Sequence, residues 1–221
     1  MPKTLYLCRH AQCEFNVRGK VQGWSDSPLT DHGIKQCEAA FEHIKTLGIK
    51  PDAYYCSTSQ RTAETLMRMT GIEEGSFTRV ANLREMYFGL LEGESCDLVT
   101  AAQPLGDYLV PFGGETEAQV TERMNKTIRS ILDSSDAQSV FIVSHGTSST
   151  CFKKLWKPYD AISTADELLA NCGILTYEYD GEVFRLVDLW NPDVPEEPGA
   201  WLPKALVGKF GKASYTITAH E

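Results

Sequence analysis

The feature that most constrains the fold is the alternation of short apolar runs with amphipathic helical stretches. The runs cover residues 4–8, 53–56, 139–143, 174–179 and 183–189. Runs of this length are typical of strands buried on both faces of a sheet. Asp180-Gly181 lies between the last two runs and predicts a hairpin. We therefore expect an α/β fold: a mainly parallel central sheet flanked by helices on both faces, with a C-terminal hairpin.

Three stretches between these runs predict helices. The first begins after Thr30, a good N-cap residue, and ends near Leu47, where Gly48 follows. The second covers residues 59–70, and the third runs from about 115 to 132. The third carries an apolar stripe at helical spacing, formed by Val120, Met124, Ile128 and Ile131. We expect these stripes to face the core and not a partner.

The length of 221 residues suits a single domain over residues 1–221. Residues 86–114 lack periodicity and contain several Gly and Pro, so they predict a loop-rich excursion that forms a rim or cap over the sheet edge. Residues 191–221 are rich in Pro, Gly and Lys, and they predict a tail packed on the surface. No internal repeat is visible.

Composition excludes several classes of protein. The net charge of −9 argues against bulk binding of nucleic acid or an anionic membrane. No run approaches the roughly 18 apolar residues of a membrane span, and because the N-terminal stretch before Arg9 is short, we expect no signal peptide. Seven scattered cysteines form no CxxC pair, so neither a zinc site nor a disulfide framework is expected. We expect a reduced, cytoplasmic protein without metal or cofactor.

Arg9 and His10 directly follow the first apolar run. The carboxyl ends of strands are where open α/β folds build their sites. Arginine offers a planar fork of donors that matches phosphate oxygens, and a neutral histidine nitrogen can attack phosphorus. The alternative is structural: Arg9 pairs with a carboxylate, and His10 is a buried histidine with satisfied hydrogen bonds.

A second histidine, His145, follows the run 139–143, and small polar residues follow it from Gly146 onward. Amide groups at a helix start beside His145 would suit an anion. Arg61 lies early in the helix predicted over 59–70, where it would overhang the same sheet edge. A surface arginine is the alternative for Arg61.

Glu85 lies between an apolar anchor, Leu83, and an aromatic segment that contains glycine. A glutamate in a partly desolvated pocket can keep a proton near neutral pH and act as a general acid. The alternative is a surface glutamate that pairs with Arg84.

The order of these signals resembles that of the histidine phosphatase superfamily, the phosphoglycerate mutase-like family, and its phosphatase branch in particular. The resemblance runs from residue 4 to about residue 190. It rests on Arg9-His10, residues 22–30, Arg61, residues 83–85 and residues 144–146. Residues 112–116 and 171–173 also resemble family segments, with less specificity. The resemblance implies a phosphoglycerate mutase-like fold.

The resemblance also implies roles. His10 would be the nucleophile that becomes phosphohistidine, and Glu85 would protonate the leaving oxygen. The phosphoryl oxygens would be held by Arg9, Arg61 and His145. The expected phosphate-binding set is completed by Asn16, Gln22, Gly23 and Gly146. The substrate would be a small phosphorylated metabolite, and no metal is needed because cations already neutralise the phosphoryl group.

The chain departs from the family pattern at two positions. Ala11 stands where the family usually has glycine, and Cys13 stands where it has threonine. Ala11 is tolerable if its backbone keeps a negative φ. A cysteine nucleophile is the competing hypothesis, but four residues separate Cys13 from Arg18, and four separate Cys56 from Arg61, one fewer than cysteine-dependent phosphatases use. Cys13 is expected to fill the volume of the family's threonine.

Three functions remain open: a phosphatase, a mutase and a binding protein without activity. Family mutases tend to be longer and to carry Glu-Arg-His-Tyr-Gly, whereas residues 85–89 read Glu-Met-Tyr-Phe-Gly, which favours a phosphatase over a mutase. A phospho-ligand binding pseudoenzyme is the third alternative. Ala11 favours it, whereas the presence of His10, Glu85 and His145 together argues against it. The substrate and the oligomeric state stay open.

Overall fold

The computed structural model describes residues 2–100, 105–134, 136–163 and 168–195. Within these residues one sheet contains β1 Lys3–Arg9, β2 Ala53–Cys56, β3 Thr78–Arg79, β4 Ser139–Ser144, β5 Ile174–Tyr179 and β6 Phe184–Trp190. The strand order is β3-β2-β4-β1-β5-β6. The first four strands in this order are parallel, while β5 is antiparallel to β1 and forms a hairpin with β6. The predicted sheet and C-terminal hairpin are confirmed.

Within the described residues, the three predicted helices are present and are joined by three others. They are α1 Glu14–Val17, α2 Asp31–Thr46, α3 Gln60–Thr70, α4 Asp97–Thr100, α5 Glu117–Asp133 and α6 Gly146–Trp156. The Thr30 side chain accepts the Gly33 amide, as expected for the N-cap of α2. Helix α5 begins two residues later than predicted because Thr116 and Gln119 form a capping box at its start.

The sheet is buried on both faces. In β4, Val140 and Ile142 pack into the core beneath α5 and α6, while Phe141 and Val143 pack into a second core with α2 and α3. Alternate side chains therefore enter opposite cores, which is why this strand is a continuous apolar run instead of an alternating one.

The segment 86–114 contains α4 and short helical turns at Gly89–Leu91 and Val110–Phe112. Several of its apolar side chains, including Met86, Leu91 and Leu109, are buried in the core on the α5 side of the sheet. The predicted surface tail lies mostly outside the described residues, which end at Pro195, so it stays a prediction. Among the described helices, none has the length and apolar character needed to cross a bilayer.

Candidate active site

The ends of two adjacent strands bring the predicted histidines together. Arg9 in β1 is the register partner of Ser144 in β4, and each residue is followed by a histidine. The rings of His10 and His145 approach edge to face, with centroids 5.3 Å apart. Strand pairing therefore joins two motifs that lie far apart in the sequence.

A hydrogen bond fixes the tautomer of His10. Its Nδ1 lies 2.7 Å from the Ala11 carbonyl oxygen, which only accepts, so Nδ1 carries the proton. Burial lowers the pKa of His10 well below its ordinary value, and the charges of Arg61 and Arg9 lower it further. His10 is therefore a neutral imidazole whose Nε2 keeps a free lone pair.

His145 is held through both ring nitrogens. Arg61 Nη2 donates to Nδ1 at 2.9 Å, so Nε2 carries the proton and donates to the Ser57 hydroxyl at 2.8 Å. Burial, followed by the charge of Arg61, lowers the pKa of His145 well below its ordinary value. Ser57 directly follows β2, and no motif in the sequence indicated this contact.

Arg61 is a buried residue, so its interpretation as a surface arginine is wrong. Its side chain is 0% exposed and forms a salt bridge with Asp26 at 3.0 Å. Nη1 also donates to the Ser25 carbonyl at 2.7 Å, and Nη2 donates to the Gly23 carbonyl at 2.8 Å. Its Nε is buried and has no hydrogen-bond partner among the described residues.

Arg9 is arranged similarly. Its Nη1 donates to the Leu169 carbonyl at 3.0 Å instead of to a carboxylate. Its Nε is also buried and without a partner among the described residues. Gly146 lies beside this guanidinium, since a Cβ added to Gly146 would lie 3.3 Å from Arg9 Nε. The site thus contains two buried guanidinium donors that no described protein group satisfies.

Glu85 is buried at the start of α6. Its Oε2 accepts the Thr147 amide at 2.8 Å, and its Oε1 accepts the amides of Ser148 and Met86, each at 2.8 Å. A surface pair with Arg84 is therefore not what the structure shows. The expectation that the α6 amides face a bound anion also needs correction, because Glu85 occupies two of them.

Glu92 organises the loop that holds Arg61. It accepts the amides of Gly23, Trp24 and Ser25 at 3.1, 2.9 and 3.0 Å. Burial alone would raise the pKa of Glu92, but the Ser25 hydroxyl and the amides of Ser25, Trp24 and Phe88 together hold it below its ordinary value. A Cβ on Gly23 would lie 2.2 Å from the Met86 carbonyl oxygen, so only glycine permits this close approach. No motif in the sequence indicated this role for Glu92.

The predicted pocket residues Asn16 and Gln22 meet around Cys13. The Cys13 thiol lies 3.0 Å from Asn16 Oδ1 and 2.8 Å from Gln22 Oε1. Burial raises the pKa of Cys13, which disfavours the thiolate. Cys13 is buried, as expected for a residue that fills space; it also donates a hydrogen bond and is poorly suited to be a nucleophile.

A second segment, residues 171–172, fixes the backbone around His10. The Asn171 side chain donates to the His10 carbonyl at 2.8 Å, and the Cys172 amide donates to the Arg9 carbonyl at 3.0 Å. Cys172 adopts a φ of 59°, whereas Ala11 is not among the residues with positive φ. The condition under which Ala11 is tolerable is therefore met.

An aromatic and cationic surface lies next to Glu85. The half-exposed Trp24 ring packs against Tyr87, with centroids 4.6 Å apart, and the Arg84 guanidinium lies 4.7 Å from the Trp24 ring centre. The Trp24 indole N–H donates to the Glu85 carbonyl at 3.1 Å. The side chains of Trp24, Arg84 and Tyr87 together form this surface.

The fold and this site define the class of the protein. The family model described as histidine phosphatase superfamily (branch 1) matches residues 5–192. The chain belongs to this superfamily, and the resemblance drawn from the sequence is confirmed.

Particular relatives include both mutases and phosphatases by name. The chain is 30% identical over 189 residues to a probable phosphoglycerate mutase GpmB of Klebsiella pneumoniae, covering 79% of this chain and 84% of that protein. YhfR of Bacillus stearothermophilus is 27% identical and superposes with a TM-score of 0.72 over 83% of this chain and 95% of that one. A mycobacterial glucosyl-3-phosphoglycerate phosphatase, Rv2419c, is 22% identical, with a TM-score of 0.70 over 86% and 100%, respectively.

Proposed function

We propose that this protein is a metal-independent phosphatase that hydrolyses a small phosphomonoester through a phosphohistidine on His10. The observation that carries the proposal is the hydrogen bond from His10 Nδ1 to the Ala11 carbonyl at 2.7 Å. It assigns the lone pair to Nε2, which is the nitrogen that would attack phosphorus. The lowered pKa of His10 keeps that lone pair unprotonated.

The two guanidinium groups would hold the transferred phosphoryl group. Arg9 and Arg61 each have a buried, unsatisfied Nε, and phosphoryl oxygens are acceptors that would satisfy them. A hydrogen bond to a charged group contributes about 1.5–3 kcal/mol. Because phosphoryl transfer depends mainly on positioning and charge stabilisation, such contacts would supply a large part of catalysis. Gly146 and the neutral His145 would line the same pocket.

Glu85 would move the proton. Its Oε1 accepts two amides and its Oε2 accepts one, so Oε2 has the greater capacity left to carry a proton. As His10 Nε2 bonds to phosphorus and the ester P–O bond breaks, Glu85 protonates the leaving oxygen. Water then attacks phosphorus, Glu85 takes its proton, and the N–P bond breaks to release inorganic phosphate.

A mutase is the second candidate, favoured by the name of the 30% identical relative. The local structure supports the phosphatase, because Met86 is fully buried and Tyr87 packs on Trp24. Family mutases carry an arginine and a histidine at these two positions, so this chain lacks those cations for a carboxylated substrate.

Turnover and product identity test the proposal. With p-nitrophenyl phosphate we expect release of inorganic phosphate, and His10→Ala lowers the rate by roughly 10³-fold or more. His43→Ala is the matched control, because His43 stacks on Trp190 and takes no part in the site. With 3-phosphoglycerate and its bisphosphate activator, free phosphate should accumulate. Accumulation of the isomer would instead establish the mutase, and full activity of His10→Ala would overturn the mechanism.

A further inference from the structure

The guanidinium group of Arg123, in α5, donates all of its hydrogen bonds to Glu115 and to the main chain around Glu85. Its Nε and Nη2 bond to the two carboxylate oxygens of Glu115 at 2.7 and 2.9 Å. Its Nη1 donates to the carbonyls of Asn82 and Arg84 at 2.9 and 2.7 Å, and Nη2 donates to the Glu85 carbonyl at 2.8 Å. All five N–H donors of the guanidinium are thereby used.

Glu115 extends this contact to the other side of Glu85. Its Oε2 accepts the Tyr87 amide at 2.8 Å. The preceding Gly114 lies so close that a Cβ there would be 2.7 Å from the Tyr87 carbonyl oxygen. The side chains of Arg123 and Glu115 are only 15% and 19% exposed, so water competes weakly for these bonds. Together the two residues hold the main chain on both sides of Glu85; we call them the Arg123–Glu115 pair.

The carboxylate of Glu85 is held separately, by the first turn of α6. The main chain of Glu85 is thus fixed from α5 and its carboxylate from α6, and these two helices pack side by side against the same face of the sheet. A displacement of about 1 Å in a reacting group can cost about 10²-fold in rate. The position of the Glu85 oxygens therefore depends on both helices.

We propose that the Arg123–Glu115 pair positions Glu85 for proton transfer to the leaving oxygen. The inference rests on the proposed function and assigns Arg123 no contact with substrate. Lysine cannot replace Arg123, because an ammonium offers three donors from one point where the guanidinium offers a planar fork of five. Without the fork, the 82–87 segment loses its common anchor, and Glu85 loses its alignment with the leaving oxygen.

Leaving-group dependence tests this role. Arg123→Lys should lower kcat/KM for an alkyl phosphate by roughly 10- to 100-fold, since an alkoxide leaves only with protonation. For 2,4-dinitrophenyl phosphate, whose leaving group needs no proton, the loss should stay within about 3-fold. Glu85→Gln gives the full size of this difference for comparison. A merely structural role would lower both rates equally.

Arg129→Lys is the matched control on the same helix. Arg129 packs over Trp156 and Tyr179, away from the 82–87 segment. The Arg129→Lys variant should be less stable than the wild type, but the ratio of its rates with the alkyl and the dinitrophenyl phosphate should not change.

If Arg123→Lys does not fold, Glu115→Gln provides a second test. This variant keeps the side-chain volume, breaks the two-bond pair and should shift the ratio of the two rates in the same direction. Equal losses for both substrates would overturn the positioning role while leaving the phosphatase intact. A wild-type protein that hydrolyses neither substrate would overturn the proposed function and this inference with it.

Discussion

At the scale of single residues, the proposed chemistry depends on the protonation of His10. The Ala11 carbonyl holds the Nδ1 proton, and burial together with Arg61 and Arg9 opposes a second proton on Nε2. The arginines that would bind an anionic phosphoryl group therefore also keep His10 neutral. In the proposed mechanism, substrate binding and activation of His10 rest on one set of charges.

The pH dependence of the free protein follows from this arrangement. Because the folded-state pKa of His10 lies well below 6.5, kcat/KM should hold its plateau down to pH 6.5 and fall only at lower pH, after correction for substrate ionisation. The free energy of unfolding should also fall with falling pH. It declines as the pH drops from 6.5 toward the lower folded-state pKa of His10, because the unfolded chain takes up the proton first. A pH titration of the histidine ring signals by NMR measures the pKa directly. A His10 pKa at or above 6.5 would contradict this account.

Part of the candidate site could be predicted from the sequence. Arg9, His10 and His145 were predictable because each comes at or just after the end of an apolar run, and strand ends share one edge of the sheet. Ser57, Glu92 and Arg123 were not predictable. Their roles come from hydrogen bonds to groups far away in the sequence, and no local pattern records such contacts.

At the scale of elements, the loop from Gln22 to Asp26 connects stability to the site. The loop gives Arg61 two carbonyls and the Asp26 carboxylate, while Glu92 collects three of the loop's amides. By holding this loop, Glu92 therefore helps to fix the position of Arg61.

Replacing Glu92 by Gln should weaken this loop. An amide has one acceptor oxygen and no charge, so we expect a loss of about 1–3 kcal/mol in the free energy of unfolding at pH 7, measured by urea denaturation. The folded-state pKa of Glu92 is lowered, so its stabilising effect is complete above 4.5 and lost as the pH falls through the lower folded value. The gap between wild type and Glu92→Gln should therefore narrow in acid. Glu94→Gln, an exposed neighbour, is the control, and an equal loss in that variant or a gap independent of pH would count against the role of Glu92.

Helices and strands could be predicted where their apolar pattern extends over many residues. Strand β4 is a continuous apolar run and helix α5 has a clear apolar stripe, and the structure confirms both. Strand β3 was not predicted, because Thr78 and Arg79 are too few residues to show a period. The burial of Met86 and Leu109 was not predicted either, since the glycines and prolines of their segment interrupt any regular pattern.

At the scale of the whole molecule, an acidic protein brings two arginines with a buried, unpaired donor to one edge of the sheet. The net charge is −9, yet within the described residues a buried Nε without a hydrogen-bond partner is found in both Arg9 and Arg61. Arg61 donates to His145, and Arg9 lies beside Gly146. The order of strands produces this concentration, because β2, β4 and β1 are adjacent and parallel. The fold class was predictable from the alternation of elements, whereas the adjacency of particular strands was implied only by the family resemblance.

Trapping the covalent intermediate tests the central claim most directly. The protein is mixed with a phosphomonoester, quenched in base, digested and mapped for acid-labile phosphate. We expect phosphate on the His10 side chain itself, none on His145, and no label in His10→Ala. Turnover without any label on His10, or a label on another residue such as Cys13, would contradict it.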